Sequence, residues 1–597
     1  MEDIKTLIAQ CVDFALEKGL CMPQDRYYVQ NRLLALFELD APGACEEKNG
    51  DFPAILEKMT DYAAQKGMLP ADTPIFREIF DNKIAGCMLM PPSQVSEHFF
   101  AIRDKDGIEA ATAWFYALCR NSNYIRTAQI AKNIRYSAPS PYGEVEVTIN
   151  LTKPEKDPRE IALALSAPAA SYPACQLCVE NVGYAGRINH PPRVLLRTVP
   201  ITLGGEQWHF QYSPYVYFNE HCIALSQQHT PMEINRKTYC RLADFQKQFP
   251  HYFIGSNAGL PIAGGSILSH LHFQGGRYVM PMMRAGIRRE YPALCGVRLA
   301  VLNWPMPALQ LRGRDSGAII DAADKITAAW DNYSDEALGI YAFTNGEKHN
   351  TITPIMRMDG EEFVLELVLR NNITSPERPL GVFHPHPCRH HIKKENIGLI
   401  EVMGLFILPG RLKEELEQTA RYLSGMPFDE TKAASHIPWA DSFRDKYDCS
   451  EPEKARAALR QELEAAGVEV TSHPWLEGCF TVTGTGDLEK LPAFTEGRCT
   501  VQDAAARLVS LAAAPDEHAR VLDVCAAPGG KSFALAMDMA DGGDILSCDI
   551  HPHKLKLIEN GAQRLGLRSI RTALADGREE HAAWLGQADL VVADVPC

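Results

Sequence analysis

The chain has 597 residues, of which 46% are hydrophobic and 23% charged, and its net charge at pH 7 is −15. This length exceeds what one hydrophobic core supports, so several domains are expected, and the composition is that of a globular rather than a disordered protein. The acidic balance argues against nucleic-acid binding by the whole surface, although it leaves room for a local basic groove.

The cysteines and the N-terminal segment predict a reducing, cytoplasmic setting. Seventeen cysteines are scattered without the dense spacing of a disulfide framework. The opening "MEDIKTLIAQCVDFALEKGL" carries acidic residues and helical spacing, unlike a secretory signal. No apolar run reaches the length that would cross a bilayer.

Helices are predicted first along the chain and strands after them. Residues 1–135 are expected to be mostly helical, because segments such as "IEAATAWFYALCRNSNYI" repeat apolar residues at helical spacing. From about residue 140, β-rich segments such as "GEVEVTINLT" and "EEFVLELVLRNN" are punctuated by Pro and Gly. An amphipathic helix, "LKEELEQTARYL", comes late in this part. We therefore expect an α+β fold with antiparallel sheets and a helical N-terminal region.

The run "GGSILSHLHFQGG" (264–276) places two histidines and a glutamine at alternate positions between pairs of glycines. If it forms a strand, alternate side chains share a face, so His270, His272 and Gln274 point one way and Leu271 and Phe273 the other. The glycines on either side permit close backbone approach. The alternative is a half-exposed strand whose polar residues simply face water.

A histidine in such a run is suited to attack phosphorus. Neutral imidazole is available at pH 7 and forms a labile phosphoramidate, which splits one transfer into two steps. The neutral amide of Gln274 is able to donate a hydrogen bond to a charged phosphoryl oxygen.

The motif resembles the His-x-His-x-Gln motif of galactose-1-phosphate uridylyltransferases, which are relatives of the histidine-triad nucleotide-binding proteins. Runs such as "YPACQLCVENVGYAGRINHPPR" and "FHPHPCRHHIKKENIGLIEVMGLFILPGRL" are similar to the second, Firmicute-type branch of that family, and the resemblance covers roughly residues 1–447. It implies histidine-triad-like antiparallel sheets, His272 as nucleophile and Gln274 as phosphoryl stabiliser. Asn257 and Ser266 fall where the family places substrate-phosphate contacts. Leu271 stands where this branch carries an acidic residue, on the face opposite the nucleophile.

The reaction that the resemblance implies is ping-pong. UDP-glucose would transfer its uridylyl group to His272 and release glucose-1-phosphate, and galactose-1-phosphate would then take the group to give UDP-galactose. A homodimer is also implied. A histidine-triad-type phosphorylase or hydrolase, acting on a dinucleotide with phosphate or water as acceptor, is the alternative use of the same histidine.

A metal site is a further expectation. Cys175-x-x-Cys178 is a metal-ligand spacing, and in the better-known branch of the family two cysteines and two histidines at like places hold structural zinc. The resemblance thus implies Cys175, Cys178, His229 and His270 as ligands, and the alternative is two small buried thiols. A second cluster, His384, His386, His390 and His391, is consistent with a metal site, phosphate contacts or a polar turn.

The sequence pattern changes near residue 448, from β-rich segments to an alternation of helices and strands. After a charged helix, "VLDVCAAPGGKS" (521–532) predicts a strand, a glycine loop and a helix, without the GxxxxGK[ST] phosphate loop. This stretch resembles the Nop/Sun-type RNA cytosine-5 methyltransferases, which bind S-adenosylmethionine on a Rossmann-like α/β domain. The resemblance gives these cofactor-binding candidates: Asp523, Gly529, Gly530, Lys531, Asp549 and Asp576.

This second domain is expected to be incomplete. About four strands of a seven-stranded sheet are present, the family's nucleophilic cysteine in a later motif is missing, and the chain stops at Cys597. We therefore expect no methyl transfer and no functional RNA binding. A gene fusion, a frameshifted product and a mis-joined chain would each give this order of segments.

The two resemblances together predict the domain organisation. The leading hypothesis is a uridylyltransferase that carries an inert methyltransferase segment, and an RNA-modifying protein with an appended nucleotide-sugar domain is the runner-up. The predicted parts are a uridylyltransferase N-terminal part (1–232), its C-terminal part (233–447), a linker or methyltransferase-preceding segment (448–505) and a truncated S-adenosylmethionine-binding domain (506–597).

Overall fold

The computed structural model describes residues 3–43, 51–151, 171–265, 267–394, 397–423, 427–444, 451–473, 476, 478–579, 581 and 584–594. The chain divides into two compact units, Met1–Leu416 and Glu417–Cys597. The boundaries predicted at 232, 447 and 505 stay predictions. In the described part of the chain, no helix combines the length and apolar character that a bilayer span requires.

Helices fill the first part of unit 1, as the apolar spacing predicts. Asp3 accepts a hydrogen bond from the Lys5 N–H and so caps the first helix, and Pro74 and Pro92 occupy first-turn positions where a missing N–H costs nothing. The helices here are α1 (Ile4–Glu17), α2 (Arg26–Leu36), α3 (Phe52–Gln65), α4 (Pro74–Met88), α5 (Pro92–Asp106), α6 (Ile108–Asn121) and α7 (Thr127–Ile130).

Strands dominate the rest of unit 1, with a few helices between them. The strands are β1 (Ile134–Ser140), β2 (Gly143–Asn150), β3 (Val199–Leu203), β4 (Glu206–Tyr212), β5 (Cys222–Ser226), β6 (Phe253–Gly255), β7 (His272–Gly276), β8 (Ile287–Leu294), β9 (Val297–Leu302), β10 (Ala308–Gly313), β11 (Phe343–Thr344), β12 (Glu347–Lys348), β13 (Asn350–Asp359), β14 (Glu362–Asn371) and β15 (Leu405–Pro409). The helices are α8 (Arg236–Gln248), α9 (Ser316–Asp331), α10 (Leu399–Val402) and α11 (Leu412–Leu423), the last of which crosses the boundary between the two units.

The main sheet has ten strands in the order β3-β4-β5-β7-β6-β13-β14-β10-β9-β8, and neighbouring strands run antiparallel. A smaller sheet pairs β1 with β2 and places β15 parallel to β2. The expected mixture of α and β with large antiparallel sheets is confirmed.

The hydrophobic core of unit 1 covers one face of the main sheet. Phe273 of β7 is fully buried and stacks on Trp208 at 4.9 Å between ring centroids, and α8 supplies Phe245 to the same cluster. Burial of side chains of this size contributes roughly 2 kcal/mol each relative to exposure. The core therefore fixes the orientation of β7. The opposite face of the strand is the one on which the candidate reactive side chains are predicted.

Unit 2 contains a small parallel sheet. The order β20-β19-β18-β21 is parallel throughout, and β16 and β17 form a separate antiparallel pair. The strands are β16 (Glu469–Ser472), β17 (Phe480–Thr483), β18 (Arg520–Asp523), β19 (Asp544–Asp549), β20 (Ile570–Leu574) and β21 (Leu590–Val592). The helices are α12 (Glu430–Ala433), α13 (Ile437–Arg444), α14 (Glu451–Ala465), α15 (Pro492–Thr495), α16 (Ala504–Ala513), α17 (Gly530–Asp538) and α18 (Pro552–Leu565).

Candidate active site and metal cluster

The His-x-His-x-Gln run lies at the centre of the main sheet. β7 pairs with β5 on one side, where His272 is opposite Leu225, and with β6 on the other, where Gln274 is opposite Gly255. Gly275 explains part of the glycine pattern, because a Cβ there would lie 2.1 Å from the Phe253 carbonyl oxygen. Gly275 thus allows β6 and β7 to lie close together, in line with the close backbone approach that the flanking glycines predict.

The structure differs from the predicted strand at His270. β7 begins at His272, and His270 lies just before it, 1% exposed, with its ring turned to two cysteines. Leu271 and Phe273 are buried in the core, as predicted. Hence His272 and Gln274 keep a common face, whereas His270 belongs to a different cluster.

The ring of His272 is held by a backbone hydrogen bond. Its Nδ1 lies 2.8 Å from the carbonyl oxygen of His270, which only accepts, so Nδ1 carries the proton and Nε2 has a lone pair. Burial lowers the pKa of His272 to about 4, so the imidazole is neutral near pH 7. The side chain is 5% exposed and lines a cleft.

Gln274 is paired with a second buried histidine. Its Oε1 lies 3.2 Å from Nε2 of His221, whose Nδ1 lies 2.8 Å from the carbonyl oxygen of Tyr215. Burial lowers the pKa of His221 to about 4. No local sequence pattern marks His221, because its proximity to Gln274 depends on the register of two strands about 50 residues apart.

The cleft has a volume of about 1740 Å³, and side chains from distant parts of unit 1 line it. Asn257 lines it, and its Oδ1 accepts from the Leu399 N–H at 2.9 Å. Ser266 lies outside the described residues. Lys393 and Glu401 form an ion pair of 2.6 Å at the wall of the cleft and were not predicted.

The four predicted metal ligands come together in unit 1. Ligand atoms of Cys175, Cys178, His229 and His270 lie within 4.8 Å of one another. The two sulfurs are 3.4 Å apart, His270 Nδ1 is 3.3 Å from Cys175 Sγ, and His229 Nδ1 is 3.0 Å from Cys178 Sγ. These separations are close to the edges of a tetrahedron around a zinc ion.

The surroundings of this cluster suit a metal. His270 Nε2 lies 2.9 Å from the Ser226 carbonyl oxygen and donates to it, which turns the Nδ1 lone pair to the cysteines. Burial by itself raises the pKa of the Cys175 thiol, but hydrogen bonds with His270, the Leu177 N–H and Cys178 together outweigh it, so the pKa is lowered. Asn181 binds both cysteine carbonyls, at 2.7 and 2.8 Å, and so shapes the loop.

The second histidine cluster has a different arrangement. His384 and His390 meet edge to face at 5.3 Å, and His386 Nδ1 lies 3.0 Å from Cys388 Sγ. Across the ranges that the structure describes, the Cys175 group is the one set of three or more His, Cys, Asp or Glu ligand atoms this close together.

In unit 2, the predicted cofactor residues lie at the carboxyl edge of the parallel sheet. Asp523 ends β18 and accepts from Ser532 Oγ at 2.8 Å, and Asp549 ends β19 and accepts from the His551 N–H at 3.0 Å. Asp576 follows β20. Carboxylates at this edge lie where open parallel sheets bind nucleotide-like ligands.

The glycine loop of unit 2 has a position that only glycine fits. Gly529 has φ +109°, and a Cβ there would meet the Phe533 ring at 2.4 Å. Gly530 begins α17, and Lys531 is paired with Asp594. The strand, loop and helix that the sequence predicts here are therefore confirmed. Cys597 lies outside the described residues.

Comparison with known proteins defines the family. The family model of the galactose-1-phosphate uridyl transferase N-terminal domain matches residues 19–231, and that of the C-terminal domain matches 245–440. The galactose-1-phosphate uridylyltransferase of Halalkalibacterium halodurans is 45% identical over 490 residues, which are 80% of this chain and 96% of that protein. That of Bacillus subtilis is 44% identical over 493 residues, 80% of this chain and 95% of that protein. The chain belongs to the galactose-1-phosphate uridylyltransferase family.

Residues 510–597 match a second family model, described as 16S rRNA methyltransferase RsmB/F. Among solved structures, a methyltransferase homologue from Pyrococcus horikoshii aligns at 25% identity and a TM-score of 0.21, covering 24% of this chain and 47% of its own.

Proposed function

We propose that the protein is a UDP-glucose–hexose-1-phosphate uridylyltransferase that acts in galactose metabolism through a covalent uridylyl-histidine. The observation that carries the proposal is the placement of His272 and Gln274 side by side on the cleft-facing side of β7. Family membership supplies the substrates, UDP-glucose and galactose-1-phosphate, and a cytoplasmic location fits them.

In the first step, His272 Nε2 attacks the α-phosphorus of UDP-glucose. The N–P bond forms, the bond from phosphorus to the bridging oxygen breaks, and glucose-1-phosphate leaves. The imidazole gains positive charge as it bonds to phosphorus, and its Nδ1–H is already donated to the His270 carbonyl, which stabilises that charge. No proton has to leave the attacking nitrogen.

In the second step, a phosphate oxygen of galactose-1-phosphate attacks the same phosphorus. The N–P bond breaks, UDP-galactose forms, and His272 returns with Nε2 unprotonated. Gln274 donates an amide N–H to a non-bridging phosphoryl oxygen in both steps, and the amide NH₂ of Asn257 offers a second donor. Ser266 stays a candidate phosphate contact. A preformed cleft supplies orientation, which is the main requirement for such displacements.

We also propose that Cys175, Cys178, His229 and His270 hold a structural zinc ion. The support is the two-sulfur, two-nitrogen donor set and the carbonyl that orients His270. When bound, the metal supplies rigidity and no chemistry, because four protein ligands fill a tetrahedral site. The chain's own contribution is to fix His270, and with it the carbonyl that orients His272.

For the fold, we propose histidine-triad-like architecture around the main sheet and a Rossmann-like domain around the parallel sheet of unit 2. In unit 2, Asp523, Gly529, Gly530, Lys531, Asp549 and Asp576 are the proposed contacts to S-adenosylmethionine. The acids at the carboxyl edge and the glycine loop at the start of α17 support this assignment. A homodimer is proposed from the family alone.

The choice of acceptor tests the function against the histidine-triad alternative. Wild-type protein is incubated with UDP-glucose labelled in the uridylyl group, and then with galactose-1-phosphate, inorganic phosphate or buffer. Label that moves into UDP-galactose only when the sugar phosphate is present supports the transferase. Equal release by phosphate or water would instead identify a phosphorylase or hydrolase.

A further inference from the structure

His221 lies beside the amide of Gln274, at the start of an antiparallel strand pair. It immediately precedes β5, in which Cys222 and Ile223 are opposite Gly275 and Gln274 of β7. The His221 ring is 2% exposed, packs on Phe218 at 4.5 Å between centroids, and lines the same cleft as His272.

The contacts of His221 determine which ring nitrogen carries a proton. The Tyr215 carbonyl oxygen, 2.8 Å from Nδ1, only accepts, so Nδ1 donates to it. The ring is buried away from water and is neutral near pH 7. Nε2 therefore has a lone pair and only accepts hydrogen bonds.

This tautomer fixes the orientation of the Gln274 amide. The oxygen and nitrogen of an amide have the same shape, and the hydrogen-bond partners decide which of them faces a given group. The structure places Oε1 of Gln274 3.2 Å from His221 Nε2, so that two acceptors would face each other. An amide turned by 180° about its last torsion brings an N–H to Nε2 instead, and this is the orientation that the tautomer of His221 favours. The nitrogen end then lies on the His221 side, with one N–H donated to His221 and the other available.

We propose that His221 is a positioning residue for uridylyl transfer, which sets the amide of Gln274 so that an N–H, and not the oxygen, is presented to the phosphoryl group beside His272. This inference rests on the proposed function of His272 and Gln274. Without an acceptor at His221, nothing holds the nitrogen end of the amide, and any orientation that presents the amide oxygen to the phosphoryl group is repelled by the phosphoryl oxygens. His221 then acts on the rate of transfer through Gln274 and does not touch the reacting atoms.

The test is a double-mutant cycle on the first step. The rate at which labelled UDP-glucose uridylylates the full chain is measured for wild type, His221→Phe, Gln274→Ala and the double variant. We expect His221→Phe to slow labelling by about 10- to 100-fold, as losses of orienting partners do, with little change in the concentration for half-saturation. In the Gln274→Ala background, the same substitution should change the rate less than about twofold.

A conservative variant separates positioning from packing. The amide oxygen of His221→Gln is able to accept from Gln274, so this variant should recover most of the rate that His221→Phe loses, and His221→Met is the second apolar variant if the phenylalanine variant does not fold. Equal slowing in both Gln274 backgrounds, or a glutamine variant as slow as the apolar ones, would overturn the proposal.

A spectroscopic measurement keeps this inference separate from the proposed function. In histidine-¹⁵N-labelled protein, with His221→Phe used for assignment, we expect His221 to show a protonated Nδ1 and an unprotonated Nε2. A protonated Nε2 overturns the positioning role even if labelling occurs. If wild-type protein takes up no label while His221 shows the expected tautomer, the proposed function fails and the hydrogen-bond assignment stands.

Discussion

The side chain of His272 is oriented by the backbone of His270: Nδ1 of His272 donates to the His270 carbonyl oxygen at 2.8 Å. The ring of His270 points the other way, to Cys175 and Cys178. One residue thus connects the Cys/His cluster to the proposed nucleophile, and the cluster should influence the rate of transfer without contacting substrate.

Removal of one proposed zinc ligand tests that connection. Cys175→Ser should reduce bound zinc from about one ion per chain to near zero, because sulfur ligands contribute much of the affinity. The uridylylation rate should fall by about 10-fold or more, since the carbonyl that orients His272 loses its support. Metal analysis and labelling are measured together.

Cys388→Ser is the matched control, because Cys388 is exposed and lies outside the cluster. It should keep both zinc and rate. Full activity of Cys175→Ser with no bound metal would show that the cluster does not support His272.

The close spacing between β6 and β7 should make both the stability and the labelling rate sensitive to substitution of Gly275. Gly275→Ala places a methyl group 2.1 Å from the Phe253 carbonyl oxygen, so the strands have to separate. We expect a loss of roughly 1–3 kcal/mol in stability, together with slower labelling, because His272 and Gln274 lie on the displaced strand. Thermal unfolding and labelling measure the two effects, and unchanged values for both would contradict the packing described here.

Gly286→Ala serves as the control for that substitution. Apart from its two neighbours in the chain, no described residue has an atom within 4 Å of the Cβ that it would add. Its melting temperature and labelling rate should match those of the wild type.

The sequence predicts strand β7 only in part. Alternation alone placed Leu271 and Phe273 in the core and His272 with Gln274 on the opposite face. It failed for His270, because a local pattern does not show where a strand begins. The cysteines that draw His270 out of register lie more than 90 residues away.

The walls of the cleft were beyond sequence reasoning for the same reason. His221, Lys393 and Glu401 reach it through strand register and loop packing, which depend on contacts between distant segments. Their residue types alone are ordinary for a protein surface. The helical N-terminal region, by contrast, follows from short-range periodicity and was predicted well.

Asp81 predicts a pH dependence of stability. Burial raises the pKa of its carboxyl from 3.8 to about 6, although its hydrogen bond with Thr60 opposes the shift. The folded state therefore binds more protons than the unfolded state between about pH 4 and pH 6, and stability falls as pH rises through that range. Above pH 6 the full cost of the buried charge is present.

Asp81→Asn should remove this contribution. The variant should be more stable than the wild type at pH 7, by up to about 3 kcal/mol for a shift of this size, and the difference should shrink toward pH 4. Melting temperatures of both proteins from pH 4 to pH 7 provide the measurement. A difference that is independent of pH would show that Asp81 does not titrate in this way.

Ligand binding in unit 2 is tested separately from transfer. Asp549→Ala should weaken S-adenosylmethionine binding by about 10-fold or more, as loss of the carboxylate at this edge removes a hydrogen-bond acceptor for ribose hydroxyls. Calorimetry with the full chain measures it, and Glu579→Ala, an exposed acid near the sheet edge, is the control. Uridylylation should be the same in all three proteins. Equal affinity of wild type and Asp549→Ala would exclude the proposed ribose contact.

The most direct measurement of the central claim is to locate the covalent group. Wild-type protein is incubated with UDP-glucose alone, digested under mildly alkaline conditions that preserve a phosphoramidate, and its peptides are analysed by mass spectrometry. We predict a uridylyl group on His272, absent from His272→Ala and present in His518→Ala, where an exposed histidine of unit 2 is changed. A uridylyl group on another residue, or turnover to UDP-galactose with no modified peptide, would contradict the account.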